Sequence, residues 1–178
     1  MTNTKGLFVT ATGTDIGKTY VTALLVKTLH QAGYRAGYYK AALSGAIPQD
    51  GRLVPGDAHY VRTVSQIAQP LESMVSYIYE PAVSPHLAAK MANNPLSLSK
   101  VQQDYQAVSA KCDYVTVEGS GGIICPLRYD DKQQIMLTDV IKILDLSCLV
   151  VADAGLGTLN ATLLTLAYLQ SCGLNATG

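Results

Sequence analysis

LFVTATGTDIGKTYVT, residues 7–22, holds a short β-type run, a glycine-bearing turn and the opening of a helical pattern. Phe8 and Val9 alternate with Thr10 and Thr12 as a strand would, and Val21, Leu24, Leu25, Thr28 and Leu29 then recur at helical spacing. Between them, Gly17-Lys18-Thr19 sits where a chain turns from strand into helix. Backbone N–H groups of such a loop and of the first helical turn point at an anion. The lysine carries charge to the β and γ oxygens of a nucleoside triphosphate, and the threonine hydroxyl can ligate Mg²⁺. The match to G-x-x-x-x-G-K-[ST] is imperfect, because Thr12 occupies the first glycine position, between Ala11 and Gly13. A strand-to-helix turn that merely contains a lysine is the plainer alternative.

Outward from this loop, strands and helices alternate. Ala32-Gly33 closes the first helix and AGYYKA, residues 36–41, reads as a second strand. Residues 43–56 are rich in Gly, Pro and polar side chains and read as a mobile loop, and Asp57 opens a helix to about Ile67. MVSYIY forms a strand, Ser84-Pro85 starts a helix, and another helix spans Ser97 to Ala110. YVTVEG ends at Glu118 and passes into the turn Gly119 to Gly122. Thr138 caps DVIKILD, the strand CLVVAD runs into Gly155 and Gly157, and Thr158 or Asn160 opens the helix ATLLTLAYLQ. The pattern predicts one α/β domain over residues 1–178, a parallel sheet covered by helices on both faces. Ligands gather at the carboxyl ends of such strands. The motifs fall there: 13–19, 40–45, 118–122 and 155–160.

The chain has 178 residues, long enough for one sizeable core. Thirteen basic and thirteen acidic residues leave no net charge to draw nucleic acid or an anionic membrane. No cationic leader precedes an apolar stretch and no apolar run would span a bilayer, so a soluble cytoplasmic protein is expected. Cys112, Cys125, Cys148 and Cys172 lack paired spacing, and His30, His59 and His86 form no cluster, so neither a zinc site nor a disulfide framework is indicated. His30 reads as an exposed position near the end of the first helix.

The charged candidates are few. Glu118 ends a buried strand, where an ionised side chain needs a cation or donors, and Mg²⁺ shared with Thr19 would meet it. Asp57 completes that shell or simply caps its helix. Lys40 follows the apolar GYY, so its ammonium emerges at the ligand end of the second strand and can stabilise charge developing during transfer, unless it only snorkels there. Asp15 is placed to hold Lys40 or to face a substrate amine.

Taken together, FVTATGTDIGKT, GYYKAALSG, GDAHYV, VSPHLAA, VEGSGGIICPL and GLGTLNATLLT resemble the dethiobiotin synthetases in order and approximate spacing, over nearly the whole chain. That resemblance implies a three-layer fold of the P-loop NTPase type. It also implies that 7,8-diaminononanoate and CO₂ (or bicarbonate) give a carbamate, which attacks the ATP γ-phosphate before the second amine closes the ureido ring of dethiobiotin. Carried over residue by residue, Thr19, Asp57 and Glu118 are Mg²⁺ positions, and Lys18 and Lys40 flank the carbamate and γ-phosphate. Asp15, Ile16, Gly17, Lys18, Thr19, Tyr20, Asp57, Glu118, Gly119, Ser120 and Gly121 contact the nucleotide and its metal. Thr14 and Ser44 contact the substrate or carbamate. Gly157, Thr158 and Asn160 receive the substrate carboxylate from the partner subunit of a homodimer, in keeping with anion binding at a helix start. Ala11 replaces the family's usual glycine and Ala41 a common proline. Family members continue beyond GLNATG into a further strand and an asparagine-bearing segment that contacts the base, so the C-terminal elements and base recognition are expected to be missing from this stretch. Three other readings compete: a ParA/MinD-like ATPase switch, a cobalamin-type amidotransferase and a non-catalytic nucleotide-binding module.

Overall fold

The computed structural model describes residues 4–178; the first three residues, part of the stretch read as lacking a leader, lie outside the described residues. Five strands form a parallel sheet: β1 (Lys5–Ala11), β2 (Ala36–Leu43), β5 (Val75–Ile78), β6 (Tyr114–Glu118) and β9 (Ser147–Val151), in the spatial order β5-β2-β6-β1-β9. Helices α1 (Lys18–Gln31) and α2 (Gly56–Ser65) cover one face, while α4 (Leu98–Ser109) and α5 (Leu137–Leu144) lie on the other. The helices α3 (Pro85–Met91) and α6 (Thr158–Ser171) complete the second face.

Alternation along β2 shows how the sheet sorts its side chains. Tyr38 packs with Ala23, Val26, Ala58 and Val61 of α1 and α2, whereas Tyr39 joins Val101, Val115 and Val117 on the opposite face. Strands β2 and β6 are buried on two faces, which accounts for their nearly continuous apolar runs. Helix α1 departs from the expected stripe. Its buried positions are Lys18, Thr22, Ala23 and Val26, while Leu24 and Thr28 face solvent. The small side chains of Thr22 and Ala23 let the helix lie close on the sheet, and Val21 and Leu25 pack sideways onto Val9, Ala11 and Val151.

Three local expectations change. The stretch read as a mobile loop contains an antiparallel pair, β3 (Ile47–Gln49) with β4 (Arg52–Val54), folded about Gly51. A second hairpin, β7 (Pro126–Tyr129) with β8 (Gln134–Met136), was not read from the sequence at all. Nor does Thr138 cap α5: it is buried in the first turn, and the Asp139 carboxylate instead accepts from the Met136 N–H at 2.8 Å.

Strand β2 runs past its neighbour. Its pairing with β5 begins only at Lys40, and the vacant stretch of edge is closed by one side chain. The Tyr38 N–H donates to Gln69 Oε1 at 2.9 Å, and Gln69 Nε2 donates to the Tyr38 carbonyl at 2.9 Å. At the other side of the sheet the edge of β9 is met by the end of the chain, through Cys148 N–H to the Asn175 carbonyl and Val150 N–H to the Gly178 carbonyl, both 2.8 Å. Among the described residues no helix is long and apolar enough to cross a membrane.

Candidate active site

The carboxyl ends of β1, β2 and β6 meet because of register. Lys40 lies directly beside Glu118, and Val9 lies on Glu118's other side. Strand β1 leaves the sheet into the loop 12–17, which enters α1 through Gly17, in the left-handed region at φ 94°. The turn after β6 packs on that loop. The Gly119 N–H donates to the Val9 carbonyl at 2.9 Å, and a Cβ at Gly122 would stand 3.4 Å from the Cα of Gly13. The buried Ser120 hydroxyl donates to the Ala42 carbonyl at 2.7 Å, which ties the same turn to the end of β2, next to Ser44.

Within this junction the charges form one network. Lys40 Nζ donates to Asp57 Oδ2 at 2.5 Å and to Glu118 Oε1 at 3.0 Å. Thr19 Oγ1 donates to the same Oε1 at 2.8 Å, and Tyr38 Oη donates to Oε2 at 3.0 Å. Lys18 reaches back across the loop to the Gly13 carbonyl at 3.0 Å. Lys40 is 4% exposed and Glu118 2%, so the ion pair between them is dry. Burial alone would push the Lys40 ammonium toward neutrality, but the Glu118 and Asp57 carboxylates outweigh it and hold its pKa above 10.5. Lys18 goes the other way: burial, reinforced by the neighbouring Lys40 charge, lowers it. The two lysines are therefore shifted in opposite directions.

The structure brings together Thr19, Lys40, Asp57 and Glu118 as a hydrogen-bonded group, with Lys18 bonded to Gly13 of the adjoining loop, Gly119 and Gly121 near Val9 and Thr14, and Ser120 bonded to the end of β2. Thr14 lies near that turn, since a Cβ at Gly121 would come within 3.7 Å of its hydroxyl. Ile16 packs on the Val9 and Ala11 cluster, and Asp15 and Tyr20 are exposed. Lys40 is held by Asp57 and Glu118; no hydrogen bond joins it to Asp15. Asp57 sits in the first turn of α2, and Pro55 occupies the N-cap. The turn 157–160 stands apart: Gly157 and Asn160 are exposed, and the Thr158 hydroxyl meets only that of Thr162, at 3.5 Å. Tyr38 escaped the sequence reading. Its signal was its place two positions before Lys40, hence on the same face of the strand.

The donor set suits Mg²⁺. Asp57 and Glu118 offer hard oxygens that converge on one cationic group, Lys40, and the Thr19 hydroxyl bonds the same Glu118 oxygen. Among the described residues no cluster of three His, Cys, Asp or Glu forms an all-protein cage. Mg²⁺ sites in general need no such cage, since one or two carboxylates are completed by water and phosphate oxygens. A separate cavity of about 740 Å³, lined by Tyr34, Arg35, Gln69 and Lys111, opens at the amino ends of β2 and β5, away from this chemistry.

Comparison with known proteins agrees with this geometry. Residues 5–178 match the family model described as an AAA domain. Proteins named "ATP-dependent dethiobiotin synthetase BioD" from Clostridium botulinum are 54% identical (strain Langeland) and 56% identical (strain 657) over 166 residues, covering 93% of this chain and 73% of each relative. Among solved structures, the kinase domain of Escherichia coli tyrosine kinase ETK aligns at a TM-score of 0.55 with 17% identity, over 99% of this chain and 66% of that one. The MinC:MinD cell division complex of Aquifex aeolicus aligns at 0.54 with 14% identity, over 97% and 66%. At such identities these two show a shared fold alone.

Proposed function

The chain belongs to the ATP-dependent dethiobiotin synthetase family and is an enzyme of that kind, and from that premise we propose how its own residues divide the reaction. The observation that carries the proposal is Lys40, a buried ammonium beside a phosphate loop that already has its own lysine. A ligase that phosphorylates an acid must hold a second anion beside the triphosphate, and a second buried ammonium would meet it.

In this reading 7,8-diaminononanoate and CO₂, or bicarbonate as its source, supply a carbamate. The loop 12–17 and the first turn of α1 bind the triphosphate through backbone N–H groups, with Lys18 on the β and γ oxygens. Lys40 lies between the carbamate and the γ-phosphate and offsets the charge that builds on the transferring phosphoryl group. Thr19, Asp57 and Glu118 hold Mg²⁺, which when bound neutralises the triphosphate. Thr14 and Ser44 orient the carbamate. The free amine then attacks the carbonyl of the mixed anhydride, closes the ureido ring and expels phosphate. Most of the acceleration comes from positioning and fixed charge.

The substrate carboxylate is assigned to Gly157, Thr158 and Asn160 of a second subunit. Leu156, Leu159, Leu163 and Leu164 support that homodimer, because they leave a large apolar patch exposed around this turn. A cytoplasmic setting accords with four free cysteines. Incubation with ATP, Mg²⁺, bicarbonate and 7,8-diaminononanoate tests the assignment. Dethiobiotin formed in step with phosphate is expected. Phosphate release at the same rate without the diamine would overturn it in favour of a nucleotide switch.

A further inference from the structure

We propose that Tyr38 is a positioning residue for the Glu118 carboxylate, holding it so that Oε1 faces Thr19, Lys40 and the metal–nucleotide. The inference rests on the assignment of Glu118 to Mg²⁺ made above. Thr19 and Lys40 both donate to Oε1, at 2.8 and 3.0 Å, and both approach from the cradle. Neither constrains Oε2. That oxygen has one donor, Tyr38 Oη at 3.0 Å, and at 2% exposure of the residue water is a poor substitute. Leaving a buried, charged acceptor of this kind unpaired would saddle it with its uncompensated desolvation penalty.

The phenol is itself immobilised. Tyr38 is wholly buried, its ring packed among Ala23 and Val26 of α1, Ala58 and Val61 of α2, and Met74. Its backbone N–H and carbonyl are both held by Gln69. Because alternate residues share a face, β2 delivers the ammonium of Lys40 to one carboxylate oxygen and the phenol of Tyr38 to the other. The two donors differ in kind. An ammonium competes with a metal ion for the carboxylate's charge, whereas a neutral hydroxyl fixes the carboxylate's plane without opposing the metal. Outer partners of metal ligands typically contribute about 10–100-fold in metal affinity.

Tyr38→Phe keeps the ring and removes the donor. Titration of Mg²⁺ into the protein with ADP, followed by calorimetry, is expected to show a midpoint raised about 10-fold in the variant, with ADP affinity in excess EDTA unchanged. A midpoint equal to that of the parent overturns the inference. So does equal weakening with and without metal, which is the mark of lost packing. Absence of any Mg²⁺ dependence in the parent overturns the metal assignment of Glu118, and this inference with it. Should the variant fail to fold, the unaltered protein answers through the hydroxyl proton of Tyr38, followed by NMR with selective tyrosine labelling. A protected proton whose resonance moves when Mg²⁺ joins the nucleotide complex is expected; a rapidly exchanging or unmoved proton sinks the idea.

Discussion

Helices α1 and α6 begin alike and end up in opposite circumstances. Each follows one of two adjacent parallel strands, β1 and β9, and each is entered through a glycine in the left-handed region, Gly17 at φ 94° and Gly157 at φ 90°. Neither has a side-chain cap, so both present free N–H groups at the ligand end of the sheet. Around α1 the chain completes the site itself: Lys18 is buried, Thr19 is bonded to Glu118, and the 119–122 turn packs against the loop. Around α6 it supplies exposed leucines instead, with Leu159 77% exposed. A helix N-terminus is thus only half a binding site. The side chains gathered around it complete the other half at α1, and at α6 that half is assigned to a second copy.

The largest expected effect breaks the completed side. Lys40→Ala should lower dethiobiotin formation on the order of 10²–10³-fold. It should also cost about 3–5 kcal/mol in urea unfolding, because Glu118 stays buried without its cation. Adding Glu118→Gln should recover much of the stability and none of the activity. Unchanged turnover in the single variant would remove Lys40 from the chemistry.

On the α6 side, Leu159→Glu should weaken self-association by about 30-fold, the equivalent of roughly 2 kcal/mol at an interface centre. Analytical ultracentrifugation reads this directly, and kcat/KM for the diamine should fall with the dimer fraction. Identical sedimentation of parent and variant would show that the leucines do not form the interface. The shared backbone geometry can be probed at both helices. Gly17→Ala and Gly157→Ala meet no atom within 4 Å at the new Cβ, so each should cost only the backbone strain, about 1–2 kcal/mol. The first should appear in nucleotide affinity and the second in KM for the diamine; a swap of those readouts would refute the division of labour.

The smallest effect lies outside both helices and serves as a baseline for ordinary surface charge. Asp130 closes the β7–β8 hairpin, accepting from Arg128 Nε and from the N–H groups of Lys132 and Gln133. The Arg128 hydrogen bond above all holds its carboxyl down to about 2. A depressed carboxyl stabilises the fold above its unfolded value of 3.8, and the contribution is lost as pH falls through about 2. Asp130→Asn should therefore lower the melting temperature slightly at pH 7 and converge with the parent below pH 2. A difference that persists in acid would assign the effect to shape rather than charge.

Most of the sheet and its charged residues were legible in the sequence because they follow local rules. Nearly continuous apolar runs ending in Lys40 and Glu118, and glycines where strands pass into helices, are signals carried by neighbouring residues. What escaped depends on distant partners. The β7–β8 hairpin takes its place from α3, and the 43–56 segment, composed like a loop, pairs with itself around Gly51. Leu24 looked like core and is exposed, because the small side chains at Thr22 and Ala23 turn α1 the other way. Tyr38 resembled any apolar strand residue; only the register that places Lys40 beside Glu118 shows where its hydroxyl ends.

The amide of Gln69 guards the reading frame of the active site. A strand slipped by one residue turns every side chain to the opposite face. In β2 that error would present Tyr39 and Ala41 to Glu118 and bury Lys40 among hydrocarbon. Gln69 grips both polar groups of Tyr38 across a separation of 31 residues, whereas the Lys40–Glu118 contact spans 78. The shorter loop is the less costly one to close. A single side-chain amide, outside the charged network, thus supplies a backbone clasp to the strand that carries Lys40.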